Sequence, residues 1–186
     1  MQNMQQLPPT GPSSLYRGVG DQEITKIIMI KTRRAVAADL PAVQELNLKL
    51  FKKEFAEFDK TLDCDWTMSD KGEKYFSDRI SFNGGCVFVA EDDDGKIVGY
   101  LAGGLSENEA SRLDTGPMAE LENMFVEDSY RGQKIGSALM DEFIRWCKDN
   151  NVSRVRVIAS PGNVGGIRFY ERNGFFPLDL VLEKKL

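Results

Sequence analysis

At 186 residues, 41% of them hydrophobic, with eleven Phe and two Trp, the chain is long enough for one domain with a sizeable core and too apolar to stay disordered. A net charge of −5 argues against nucleic acid and anionic membrane as partners, and the absence of any histidine removes Ser-His and Cys-His catalysis and most zinc sites together. Cys64, Cys86 and Cys147, odd in number and without a CxxC pair, read as reduced thiols of a cytoplasmic protein; no apolar run approaches the ~18 residues of a spanning helix, and no signal layout opens the chain.

Met1 to Gly20 is rich in Gln, Pro, Gly and Ser, so residues 1–23 are expected to form a flexible arm ahead of a single domain over 24–186. Such an arm can pack against a second copy, which makes a homodimer the candidate assembly. Ile24 to Ile30 is apolar and can extend a first strand that continues through Lys31-Thr-Arg-Arg-Ala35. The basic cluster within it reads as the charged guard of an open sheet edge, in preference to a phosphate site. Asp39 is placed to cap a helix with Pro41 in its first turn and Val43, Leu46, Leu50 and Phe51 on its apolar face. From Leu50 to Phe82 the pattern gives two helical pieces broken near Thr61 to Met68, with Trp66 in the break as a lid or a plug and Ser69 as the next cap. Phe51, Phe55 and Phe58 recur at near-helical spacing, as core or hinge aromatics.

Asn83-Gly84-Gly85 reads as a turn, Cys86 to Glu91 as a strand, Asp92-Asp-Asp-Gly95 as a hairpin loop with a positive φ at Gly95, and Ile97 to Gly104 as the returning strand. The three aspartates lack the ligand spacing of a calcium loop. Gly99, Gly103 and Gly104 leave room for a close approach or a bend. A polar connection, Ser106 to Met118, leads into Ala119 to Val126. That segment alternates as a strand, with Leu121, Asn123 and Phe125 on one face and Glu120, Glu122, Met124 and Val126 on the other. After Glu127 to Tyr130, Arg131-Gly-Gln-Lys-Ile-Gly136 opens a helix whose buried stripe is Ile135, Leu139, Phe143 and Trp146. Amides at a helix start are unpaired and face outwards, so Arg131, Gly132, Gly136 and Ser137 form a plausible anion cradle. The helix ends near Asn150-Asn151, and Arg154 to Ala159 follows as a strand, giving a parallel β-α-β unit. Asn163 caps a final helix through Phe169 and Tyr170 that stops at Asn173-Gly174, and Leu178 to Glu183 reads as a last strand.

Two of these segments carry a family resemblance. Arg131-Gly-Gln-Lys-Ile-Gly136 resembles the acyl-CoA pyrophosphate loop of the GNAT N-acetyltransferase superfamily, with Arg131 in its first position and Gly136 in its last. Lys134 stands where that family usually has its middle glycine. Asn163-Val-Gly-Gly-Ile-Arg-Phe-Tyr-Glu-Arg-Asn-Gly-Phe175 is similar to the family's closing segment at Asn163, Phe169, Tyr170, Glu171, Gly174 and Phe175. The likeness runs from about Lys31 to Leu186, and it is the joint spacing of the two motifs that makes it specific.

The resemblance implies an α/β fold with a mixed, centrally splayed sheet and an acetyl-CoA cosubstrate, with no metal, held where two parallel strands part. By the same resemblance, backbone groups of Met124, Phe125 and Val126 hold the pantetheine arm and face the developing oxyanion. Arg131, Gly132, Gln133, Lys134, Ile135, Gly136 and Ser137 hold the pyrophosphate, and Asn163 meets the pantetheine arm. Tyr170 is the implied general acid that returns a proton to the CoA thiolate. Glu120 and Glu122 are candidate bases, Glu120 standing where some family members carry their base, while Ile158 stands where ribosomal-type N-terminal acetyltransferases carry a glutamate. The acidity of Glu54, Glu57, Asp59, Glu120 and Glu122 favours a small cationic amine or a basic peptide as acceptor, and the Phe51, Phe55 and Phe58 aromatics are the alternative wall of its site. Two other readings stay open: a non-catalytic acyl-CoA-binding or regulatory domain, and transfer of another acyl group or to a hydroxyl. Cys147 lies near the apolar stripe of its helix as a packing thiol, and no basic cluster activates Cys64, so direct transfer is preferred to an acyl-cysteine route.

Overall fold

The computed structural model describes residues 29–82, 84–107 and 116–184. The expected arm over 1–23, the apolar start at 24–28, Asn83 of the expected turn and most of the Ser106 to Met118 connection lie outside the described residues. In chain order the elements are β1 (Lys31–Arg34), α1 (Leu40–Glu57), a 3-10 segment (Cys64–Met68), α2 (Asp70–Ser81), β2 (Gly85–Glu91), β3 (Ile97–Ser106), β4 (Met118–Val126), a 3-10 turn (Asp128–Tyr130), α3 (Ile135–Asp149), β5 (Arg154–Val157) and α4 (Val164–Arg172).

The five strands form one sheet in the order β1-β2-β3-β4-β5. The first four pair antiparallel, and α3 is the crossover that makes β4 and β5 parallel. Strands β2 and β3 are apolar almost throughout because both of their faces are covered. Helices α1 and α2 cover one face, with Val43, Leu46 and Phe76 against Val87, Val89, Tyr100 and Phe125. Helix α3 covers the other, with Leu139, Met140, Phe143 and Trp146 against Phe88, Leu101, Ala119 and Leu121. β1 is an edge strand, and its Arg33 is held by Asp39 and Glu91, so the basic cluster does guard an edge. The Asp39 carboxylate accepts from Val36 N (2.8 Å) and from Arg33, and makes no capping bond into α1. Ser69 does cap α2, and Gly95 takes its positive φ of 79°.

Three expectations about strands are corrected. The alternation assumed for β4 is broken by a bulge: Ala102 pairs with Asn123 but Gly103 pairs with Leu121, leaving Glu122 as the extra residue. Leu121 therefore faces α3, whereas Phe125 joins the α1–α2 core. Second, β5 ends at Val157, two residues short, and Ile158 beyond it is 68% exposed. Third, no strand forms over Leu178 to Glu183; after the turn at Gly174 (φ 87°) the chain runs on without pairing, and Leu178 and Leu182 are 55% and 84% exposed. Alternating apolar residues give a segment strand propensity, but a strand also needs an edge to pair with, and this segment reaches none among the described residues.

Candidate active site

The site begins where two strands part. β4 and β5 pair from Met118↔Arg154 to Leu121↔Val157 and no further. The bulge at Glu122 falls at the next residue, bending β4 just where the parallel ladder ends. Beyond it Met124, Phe125 and Val126 remain bonded to β3 on one side only, so their other edge has left β5. The bulge depends on Gly103, where a Cβ would stand 2.6 Å from the Glu120 carbonyl and 2.7 Å from the Phe143 ring.

At the open end of that cleft the chain turns into α3. Gly132 and Lys134 both have positive φ, 79° and 62°, and Lys134 is the N-cap residue without a capping side chain. Ile135 is buried and anchors the helix start, while the first-turn amides at Ile135, Gly136 and Ser137 precede the point where helical acceptors begin. Gly136 sits where a Cβ would meet Met124 Cε at 3.0 Å and the Phe169 ring at 3.4 Å, so β4, α3 and α4 converge on it. The Arg131 side chain turns back to the strand end: Nε donates to the Val126 carbonyl (3.0 Å), Nη2 pairs with Asp128 (2.7 Å) and the guanidinium lies over the Phe125 ring. Gln133 and Lys134 are exposed.

Helix α4 borders the cleft from the β5 side. Its cap is Asn163, whose Oδ1 accepts from Gly166 N at 2.9 Å; a Cβ on Gly166 would strike that same side chain. Tyr170 packs edge-on against Phe169 and Phe175, and its hydroxyl meets no partner among the described residues. Burial pushes its phenol up to about 12, with the negative charge of Glu54 adding to the effect. The C-terminal end of α1 closes in from the opposite direction: the Phe58 ring lies 3.1 Å from where a Gly162 Cβ would stand. Between α1 and the end of β4 is an open hollow of about 520 Å³, with Lys49, Lys53 and Glu57 on the helix and Phe125, Glu127 and Ser129 opposite.

The two carboxylates expected as bases are both engaged. Glu120 accepts from Arg156 at 2.7 Å. Glu122 accepts from Tyr75 (2.6 Å) and from Arg79, whose Nε stands at 2.8 Å and whose Nη2 makes a second bond. The Glu122 contact opens a chain of polar groups through the α1–α2 core. Asn123 donates to Tyr75, Asn47 bonds the Tyr100 hydroxyl at 2.8 Å, and Thr67 donates to Asn47. Phe51 stacks on Trp66, which in turn packs tilted against Tyr75, and this makes Trp66 a plug. Asn47, Tyr75 and Arg79 were missed in the sequence. The available signal was Asn47 itself, a polar residue within the apolar stripe of α1, where burial demands a partner.

Comparison with known proteins follows the same lines. The model of the acetyltransferase (GNAT) family matches residues 42–175. MJ1207 of Methanocaldococcus jannaschii, an uncharacterized N-acetyltransferase, is 30% identical over 134 residues; the match spans 72% of this chain and 57% of that protein's length. Aminoglycoside N(6')-acetyltransferase type 1 of Stenotrophomonas maltophilia is 24% identical over 136 residues, 73% of this chain and 77% of its own. Among solved structures, AAC(6')-Iy in complex with the bisubstrate analogue CoA-S-monomethyl-acetylneamine has a TM-score of 0.68 at 17% identity, over 85% of this chain and 98% of its own, a likeness of fold. Since the family match takes in nearly all of α1, the bulged β4, the loop at Arg131 to Gly136 and α4 with Tyr170, the chain belongs to the acetyltransferase (GNAT) family.

Proposed function

We propose that the protein transfers an acetyl group from acetyl-CoA directly to a primary amine, carried by a small cationic molecule or a basic peptide. The observation that carries this reading is the parting of β4 from β5 after Leu121 and Val157, with the α3 N-terminus and Tyr170 at the opening. The edge at Met124 to Val126 offers backbone groups to an extended amide-bearing arm and N–H donors to the carbonyl oxygen as it gains charge. The first-turn amides at Ile135 to Ser137, with Gly132, Gln133 and the Lys134 cation, suit a pyrophosphate. Arg131 acts from behind, tying the loop to the strand end, and Asn163 orders the start of α4 beside the arm.

In the reaction the amine nitrogen bonds to the thioester carbonyl carbon and the carbon–sulfur bond breaks. The Tyr170 hydroxyl, kept neutral by burial, holds the proton that the departing thiolate takes. The net charge of −5 supports a cationic acceptor, and relatives that act on or bind aminoglycosides, which are polyamines, point the same way. The test is a panel of amines with acetyl-CoA, read by free-thiol release, alongside calorimetry with CoA at two salt concentrations. Thiol release with cationic amines and CoA binding that weakens with salt are expected. CoA binding without thiol release from any amine would favour a non-catalytic acyl-CoA-binding module. A preference for hydroxyl acceptors or longer acyl groups would redirect the reading within the family.

A further inference from the structure

We propose that Glu54 of α1 is the acceptor-side catalytic residue, receiving the acceptor's ammonium group and taking the proton it must lose before attack. This rests on the acetyltransferase reading above. Three observations place the side chain. Asn47, seven residues earlier, faces the sheet, bonding Tyr100 on β3 and reaching Asn123 on β4 at 3.4 Å. Two helical turns further along the same side of α1, about 10 Å on, comes Glu54. Four residues later Phe58 touches the loop that leads into α4, at Gly162. Glu54 thus lies between the start of the strand opening at Asn123 and the loop before α4, on the helix that spans the gap.

The surroundings fit a base. The carboxylate is half-buried, and no described residue donates a hydrogen bond or ion pair to it. Its negative charge is felt at two hydroxyls, those of Tyr170 on α4 and Tyr100 on β3. Burial, and then the nearby charge of Asp59, hold its carboxyl above the ordinary range. The charged and titratable groups acting on it are therefore Asp59 at the end of its own helix, Tyr170 and Tyr100. None of these is a cation, so an incoming ammonium supplies the counter-charge that the site lacks. Glu120 and Glu122, by contrast, already have guanidinium partners. A carboxylate so placed can take a proton from the amine on one side of the acetyl group while Tyr170 gives one to sulfur on the other. The ammonium gives its first proton to Glu54 before attack, and Glu54 releases it to solvent; once the N–C bond has formed and the C–S bond breaks, Tyr170 protonates the sulfur and is restored by the second proton leaving the nitrogen.

The experiment compares wild type with Glu54→Gln, which keeps the shape, and Glu54→Asp, which keeps the charge. Sisomicin and spermidine serve as amine probes against CoA-saturated protein. The first readout is probe affinity by calorimetry, expected to fall at least ~10-fold in the Gln variant and to be partly retained in the Asp variant. The second is the pH profile of kcat/KM with the most active amine. Glu54→Gln should lower it ~100-fold or more at neutral pH and remove its acidic limb, with acetyl-CoA affinity within about 2-fold. Tyr170→Phe, as a control, should lower turnover and keep the acidic limb in what remains. Unchanged probe affinity in Glu54→Gln, or no probe binding to wild type, overturns the proposal whether or not turnover is found. An acidic limb that survives in the Gln variant overturns it as well. Absence of thiol release from every amine overturns the acetyltransferase reading itself and is seen in the wild type alone.

Discussion

Lys134 occupies backbone space that a side chain normally avoids. Left-handed φ costs a residue with a Cβ about 1–2 kcal/mol, and outliers of this kind gather at functional sites. Lys134→Gly is therefore expected to stabilise the protein by about 1 kcal/mol, raising Tm by ~2–4 °C, while weakening acetyl-CoA binding and flattening its salt dependence. A calorimetric scan and a titration on the same preparation check both halves. Tyr170→Phe keeps the ring against Phe169 and Phe175 and removes only the hydroxyl, which has no partner among the described residues. It should lower kcat roughly 10- to 1000-fold with acetyl-CoA affinity and Tm nearly unchanged. Glu54 works against stability in the empty protein. Its folded pKa is raised by burial, so the native state binds the extra proton, and stability falls as pH rises from the unfolded value through the folded one. Glu54→Gln should then raise Tm at neutral pH and not at acid pH, measurable by melting at the two pH values; this is the trade between a working carboxylate and a stable one.

At the scale of elements, the bulge in β4 governs the site, and its counterpart is Gly103 across the ladder. Gly103→Ala would push a methyl into the Glu120 carbonyl and the Phe143 ring. A cost of about 1–3 kcal/mol is expected, together with reduced acetyl-CoA affinity as β4 shifts, checked by denaturant unfolding and ligand titration. Periodicity was enough to read α1, α2, α3 and β2 to within a residue or two, because each buries one face or both on a regular period. It could not reveal the bulge. One extra residue leaves the apolar pattern on either side intact and merely swaps which face each half presents, which is why Leu121 and Phe125 look like neighbours in the sequence and part company in the fold. Motif spacing was enough to read α4 with Asn163 at its cap and Tyr170 within it, but the arginine partners of Glu120 and Glu122 lie 36 and 43 residues away, beyond any local pattern.

Across the whole molecule, helices cover both faces of the sheet, and its two edge strands, β1 and β5, each join by four residue pairs, β5 carrying α4 behind it. Among the described residues no helix is long and apolar enough to cross a membrane. What sets the β5 side apart is that its ladder stops at Leu121 and Val157 while β4 runs on to Val126. Neither that early stop nor the unpaired Leu178 to Glu183 was legible in the sequence, since both segments have the composition of paired strands and only the geometry tells how much pairing each obtains.

The short β4–β5 ladder has a consequence for turnover. In the proposed acetyl transfer, a pantetheine chain, with its two amides, would enter the gap as a replacement strand and complete a ladder that the polypeptide leaves unfinished. That strand would be the same whether the sulfur carries an acetyl group or a proton, so the protein is expected to grip the spent carrier about as firmly as the loaded one. CoA is accordingly expected to inhibit competitively against acetyl-CoA, with an inhibition constant within a few-fold of the acetyl-CoA dissociation constant, and its departure is expected to pace the cycle with good acceptors. A pre-steady-state burst of acetylated amine, of about one equivalent per enzyme, is the signature to look for; its absence with a fast acceptor would mean that bond making, rather than the peeling away of this borrowed strand, is the slow event.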